Sequence, residues 1–297
     1  MTLWKRKTSS LSRLTWFKHH EDLLLIWLLR ILAAIAGMIM VLILGFLFKE
    51  ALPILREVGI TAFFRDETWN PSQQSYNLVP MIWGTVLVTT GAVGLATPLG
   101  IISALFCQYY APQAIASIYR RLIELLAGIP SVVYGFWGLV VLVPLINRLH
   151  PPGTSLLAGI AILSLMILPT IALVADATFG EVPQEYLLGA SAMGLSLWGT
   201  IWQIVLPVSK SGLLTGVILE IGRAIGETMA VLMVCGNVVQ IPDSIFAPVR
   251  TLTANIALEM AYALDIHRSA LFVSGLLLLS VIIVLAIAVE LIALEES

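Results

Sequence analysis

Residues 212–234 read GLLTGVILEIGRAIGETMAVLMV and set Glu220, Arg223 and Glu227 into an otherwise apolar run. A charge near a bilayer centre costs about 2.5–3.5 kcal/mol on insertion scales, so three in one span need protein or water around them. Glu220 and Arg223 are three apart, and Arg223 and Glu227 are four apart. On a continuous helix all three share one face, where such pairs can touch. A guanidinium fork is the natural partner of a phosphate-like oxyanion. A flanking carboxylate can steady that fork, or partly neutralise it so that an anion passes without sticking. Two readings stand: charges lining a translocation path, or an internal salt bridge that packs two helices. Gly212, Gly216, Gly222 and Gly226 interleave with the charges as two small-xxx-small patterns, which allow close helix approach.

The elements that must carry this run are membrane helices. The 297 residues are 59% hydrophobic and 11% charged, with a net charge of −2. Soluble domains carry about 25% charged residues, so too few are present for a water-facing surface. The charge balance argues against nucleic acid as a partner; membrane lipid must be part of the solvent. About 20 apolar residues span a bilayer. Six stretches qualify: Leu25–Phe48, Leu78–Gln108 (interrupted by Thr97-Pro98), Leu122–Ile146, Ser155–Ala175, Gly212–Cys235 and Ala270–Leu294. The chain reads as an all-α polytopic membrane protein. Residues 1–22 form a basic N-terminus and 23–48 the first transmembrane helix. That run is too long for a secretory leader and no cleavage site follows it, so it is expected to be retained. Residues 49–77 form an outer loop holding Trp69-Asn70-Pro71. Residues 78–294 form a core with five spans, an inner loop at 176–211 and an outer loop at 236–269, before a short C-terminus at 295–297. Pro130-Ser131 and Gly135 fall inside the third span as a broken helix. Asp176 and Glu124 are expected at helix ends, in capping or snorkelling roles. Lys and Arg near helix ends favour an inner N-terminus by nine to six, and six spans then return the C-terminus to the same side.

The inner loop contains EVPQEYLLGASAMGLSLWGTIWQIVLP, residues 181–207. It is apolar-periodic but too polar at its start to span. It suggests two short helices joined near Gly194, with one face free for a groove on a cytosolic partner or for lipid. Cys107 and Cys235 sit in apolar stretches and give neither a disulfide framework nor a metal spacing. G-x-x-x-x-G-K-[ST] is absent, so the chain has no P-loop for ATP hydrolysis. H-E-x-x-H and G-x-S-x-G are absent too. A membrane enzyme of lipid or cell-wall metabolism would want paired acid/base or nucleophilic groups, which this sequence does not show.

GLSLWGTIWQIVLP, with Gly194 followed at fixed distance by Leu206-Pro207, resembles the EAA loop of ABC-importer permeases. GRAIGETMA followed by Gly236-Asn237, AGIPSVVYGFWGL and the Trp69-Asn70-Pro71 loop resemble the phosphate permeases of PstC type, across about residues 60–290. The resemblance implies an ABC type I importer permease fold in the inner (plasma) membrane, with both termini cytoplasmic. It implies a heterodimer with a PstA-like permease and two copies of a cytosolic ATPase that bind ATP and Mg, leaving this chain without a cofactor or metal. It also implies an extracytoplasmic binding protein that delivers phosphate. The resemblance implies Arg223 and Glu227 as translocation residues, and Glu220 and Thr228, on the same run, are expected to join them. The implied ATPase-coupling residues are Gly189, Ala190, Gly194, Leu206 and Pro207. Two positions depart from the pattern: Leu188 stands where the EAA glutamate would, and Glu220 where the family usually has a small residue. Molybdate, tungstate or sulfate remains the alternative cargo, because one arginine distinguishes little among oxyanions.

Overall fold

The computed structural model describes residues 8–294, with side chains over 25–292. The expected extreme termini, 1–7 and 295–297, lie outside the described residues. The chain divides into two compact units, residues 1–50 and 51–297.

The first unit is helical. Its helix α1 (Thr8–Glu57) runs on past residue 50, and its apolar residues from Leu25 to Phe48 are almost all exposed. Such a surface is stable only in lipid or against another apolar surface.

In the second unit, the end of α1 buries Ile54 in one cluster with Phe63 of α2 (Ala62–Arg65) and Tyr76. A two-stranded antiparallel ribbon pairs β1 (Trp69–Asn70) with β2 (Ser75–Tyr76). Helix α3 (Val79–Leu105) continues as a π-helical turn, Phe106–Tyr110. The expected interruption at Thr97-Pro98 does not occur: α3 runs through Pro98.

The third span also begins later than its apolar run suggests. Residues Gln113–Ala127 form a separate amphipathic helix, α4, which ends at Gly128. Pro130 then sits in extended backbone (φ −59°, ψ 140°) just before α5 (Ser131–Trp137). A proline lacks an N–H but fits the start of a helix, so it marks the entry of the span and not a flaw inside it. The span continues through a π-helical turn, Gly138–Leu142, into α6 (Val143–Leu149).

Helix α7 (Leu156–Gly180) is the centre of the fold. It is the most buried of the candidate spans, and its N-cap Ser155 accepts from the Ala158 N–H at 3.2 Å. The segment expected as the inner loop folds as α8 (Gln184–Ala192), α9 (Leu197–Thr200), a π-helical turn (Ile201–Val205) and α10 (Leu206–Val208). Then come α11 (Lys210–Gly226), α12 (Met229–Val234), α13 (Leu252–Glu259) and α14 (Asp265–Leu294).

Among the described residues five helices are long and apolar enough to cross a membrane, and six if the pair Leu197–Val208 and Lys210–Gly226, bent by 66°, counts as one span. The expected inner loop at 176–211 is largely helical, whereas the expected outer loop at 236–269 is helical only over α13 and the start of α14.

Asp176 lies near the end of α7, four residues before Gly180, but it pairs and does not cap. It receives Arg120 of α4 as a bidentate pair, Nε to Oδ2 at 2.7 Å and Nη2 to Oδ1 at 2.9 Å. Gln108 Oε1 takes a second bond from Nη2 at 2.6 Å. The carboxylate raises the Arg120 pKa further above its ordinary value, so the pair stays ionised.

Candidate functional site

The structure separates the three charges that one helical face was expected to hold. Helix α11 ends at Gly226, and Glu227 is extended (φ −67°, ψ 128°). The Arg223–Glu227 pairing expected four residues apart therefore does not form as a helical pair. Glu227 Oε1 instead accepts from the Ala230 N–H at 3.0 Å, which caps the start of α12. Its backbone carbonyl accepts from the Thr253 hydroxyl at 2.9 Å, tying the break to α13. The sequence carries the cause: glycine before a capping carboxylate, where a helix more readily stops and restarts. Thr228 lies in the break, and its hydroxyl donates to the Gly226 carbonyl at 3.2 Å.

Glu220 and Arg223 remain on α11, with Arg223 Nη1 3.8 Å from Glu220 Oε2. Their environments differ. Glu220 is buried, beside the Thr170 hydroxyl of α7, and its Oε2 makes no hydrogen bond. The Arg223 side chain is 41% exposed. A buried carboxylate beside a half-exposed guanidinium leaves the cation presented outward and held from behind.

The glycines show which way each face looks. A Cβ on Gly212 would lie 2.6 Å from Thr178 Cγ2, and one on Gly216 would lie 2.5 Å from Val174 Cγ1. With Glu220 against Thr170, every fourth residue of α11 meets every fourth residue of α7, in antiparallel order. Gly222 and Gly226 have no atom within 4 Å of a Cβ position. The two small-xxx-small patterns therefore do different things: one seats α11 on α7, and the other leaves open space beside Arg223.

Between α8 and α9, Gly194 takes φ +75°, where only glycine is unstrained. The Leu195 N–H donates to the Ala190 carbonyl at 3.0 Å and the Gly194 N–H to Ser191 at 3.1 Å. This double closure stops α8 and redirects the chain. Ser196 then caps α9 by accepting from the Gly199 N–H at 3.2 Å. Ala190 is buried, whereas Leu188, Met193, Trp198 and Trp202 are exposed. Leu206 and Pro207 form α10, just before the 66° bend. Gly189 has open space at its Cβ position.

Sequence reasoning missed a second polar cluster. Glu259, buried at the end of α13, accepts from Arg250 Nη1 at 2.7 Å, His267 Nε2 at 2.8 Å and Trp69 Nε1 at 2.9 Å. It joins the ribbon, the segment before α13 and the start of α14. Glu259 carries no local pattern, and its partners are up to 190 positions away.

Comparison with known proteins gives this geometry its context. Residues 96–294 match the family described as binding-protein-dependent transport system inner membrane component. The phosphate transport system permease protein PstC of Mesorhizobium japonicum is 37% identical over 250 residues, covering 76% of each chain. A probable ABC transporter permease protein of Bacillus subtilis, YqgH, is 40% identical over 232 residues, covering 76% of this chain and 75% of that one. Among solved structures, an inward-facing methionine ABC transporter, MetNI, aligns with TM-score 0.59 at 18% identity, covering 74% of this chain and 96% of that one. A bacterial alginate ABC transporter, in complex with an alginate-bound periplasmic protein, aligns with TM-score 0.59 at 14% identity, covering 97% and 96%. These two share the fold. The chain is a multi-pass inner-membrane protein that belongs to the binding-protein-dependent transport system inner membrane component family, as a permease of PstC type.

Proposed function

We propose that this chain is a channel-forming subunit of an ATP-driven importer that carries inorganic phosphate inward. The observation that carries the reading is Arg223: a half-exposed guanidinium in an apolar helix, backed by Glu220 and bordered by the open face at Gly222 and Gly226. An oxyanion can meet this cation without a deep pocket that would trap it. The names of the PstC relatives support phosphate as the cargo.

The remaining parts follow the same reading. Both termini face the cytoplasm. A PstA-like permease covers the open face of α11 and completes the passage. Two cytosolic ATPase subunits bind ATP and Mg, and one docks on the loop at 181–207, where Gly189, Ala190, Gly194, Leu206 and Pro207 set its shape. The exposed Leu188, Met193 and Trp198 suit an apolar groove on that partner. Leu188 replaces a charge with an apolar contact at this surface. A binding protein delivers phosphate from outside. Glu227 and Thr228 shape the break where the path narrows.

Radiolabelled phosphate uptake by the reconstituted importer, with sulfate and molybdate as competitors, tests the cargo. Phosphate should compete and the other two should not. Equal competition by molybdate or sulfate would replace phosphate with a general oxyanion.

A further inference from the structure

Helix α12 follows the break at Glu227, and one short stretch of chain grips it at both ends. At its start, the Thr253 hydroxyl of α13 donates to the Glu227 carbonyl at 2.9 Å. Beyond its end, Arg250 Nε donates to the Asn237 carbonyl at 2.9 Å, and the Asn237 N–H donates to the Val249 carbonyl at 3.1 Å. A guanidinium holds several acceptors at once only when its plane is fixed. Arg250 Nη1 donates to Asn255 Oδ1 at 3.0 Å and to Glu259 Oε1 at 2.7 Å, which fixes it. Glu259 is fixed in turn through its other oxygen, by Trp69 of the ribbon and His267 of α14. Thr253 is held by the Thr251 hydroxyl, 3.1 Å away, which also caps α13.

A buried ion pair such as Arg250–Glu259 contributes little net stability, because desolvation offsets much of its attraction. What the network supplies is placement. Ala224, next to Arg223, shares one buried cluster with Ala230, Val231 and Val234 of α12. Only Glu227 and Thr228 separate α11 from α12, so a shift of α12 reaches Arg223 directly.

We propose that Glu259 and Thr253 are positioning residues for transport, which hold α12 as the fixed side of the passage beside Arg223. The proposal rests on the phosphate path along α11. Neither residue touches the ion. Thr253 acts on the carbonyl before α12, and Glu259 acts through Arg250 on the carbonyl after it. The two grips hold one short helix, so losing either frees it and losing the second adds little.

Phosphate uptake by the complete importer in proteoliposomes, measured for Thr253→Val, Glu259→Gln and the double variant, tests this. Each single change should lower the maximal rate per assembled importer by about 5-fold, the scale of one hydrogen bond. The half-saturating concentration of phosphate-loaded binding protein should not move. Thr253→Ser keeps the hydroxyl and should restore the wild-type rate. The two residues lie about 9 Å apart along the axis of α13 and share no side-chain hydrogen-bond partner. Independent effects would therefore multiply to about 25-fold in the double variant. Action through one helix keeps the double variant near 5-fold. If Glu259→Gln does not assemble, Trp69→Phe takes its place, since it keeps an aromatic ring and removes the donor that fixes Glu259. Losses that multiply, or Thr253→Val at the wild-type rate, overturn the proposal. Wild-type uptake by an assembled Arg223→Gln importer overturns the path reading instead. ATP hydrolysis stimulated by phosphate-loaded binding protein, measured on the same double cycle, then still decides whether the two grips act through α12.

Discussion

One substitution made at two places on the same helix separates the packed face of α11 from its open face. In Gly216→Ala the new methyl lies 2.5 Å from Val174 Cγ1, and Val174 Cβ is 3.4 Å away. Carbon atoms settle at about 3.5–4.0 Å, so α7 and α11 must part by about 1 Å or Val174 must leave its rotamer. Overpacking of this kind costs about 1–3 kcal/mol. The better helix propensity of alanine returns up to about 1 kcal/mol. Gly216→Ala should therefore lose about 0–2 kcal/mol. Gly222→Ala meets nothing within 4 Å and keeps the propensity gain without the clash. It should be neutral or stabilised by up to about 1 kcal/mol. The expected gap is thus about 1–3 kcal/mol for one chemical change made six residues apart. Thermal unfolding of the purified chain in detergent reads it, at about 2–4 °C per kcal/mol for chains of this size class. In the assembled importer the order should reverse in function: Gly222→Ala fills space beside Arg223 and slows uptake more than its stability suggests. Equal melting temperatures for the two variants would refute the assignment of the faces.

Three further outcomes follow from single contacts. Gly194→Ala forces a methyl into a left-handed turn at φ +75° and should cost about 1–2 kcal/mol locally, read as reduced co-purification of the ATPase with the permeases intact. Asp176→Asn removes the charge and one of the two oxygens that accept from Arg120, and should lower stability by about 1–3 kcal/mol in thermal unfolding, whereas Arg121→Gln, whose side chain makes none of these bonds, should not. Glu227→Gln keeps an oxygen for the Ala230 N–H and should melt close to wild type, whereas Glu227→Ala loses the cap and about 1 kcal/mol.

The membrane helices were legible because their signal is local: a run of about 20 apolar residues says the same thing in any context. The inner loop was legible for a related reason, since Gly194 and the flanking small and apolar residues carry their turn chemistry with them. The third span was displaced because hydropathy does not distinguish α4, amphipathic and outside the spans, from the helix that starts after Pro130. The break at Glu227 was passed over because the apolar run resumes at Met229, although Gly226 followed by Glu227 carries a stop-and-cap signal. The extended backbone of Glu227 and the contacts from Ala230 and Thr253 show that the chain stops being helical there. Glu220 and Arg223 were found by composition alone, but their division of labour was not. It depends on Thr170, fifty residues away from Glu220, and on which glycines meet α7. The Glu259 cluster gave no signal at all, since three distant segments converge on one carboxylate.

The most direct measurement concerns Arg223. Phosphate uptake into proteoliposomes holding the complete importer should fall to background in Arg223→Gln, while the variant assembles and its ATPase still turns over. Wild-type uptake by a correctly assembled Arg223→Gln importer would contradict a phosphate path along the open face of α11.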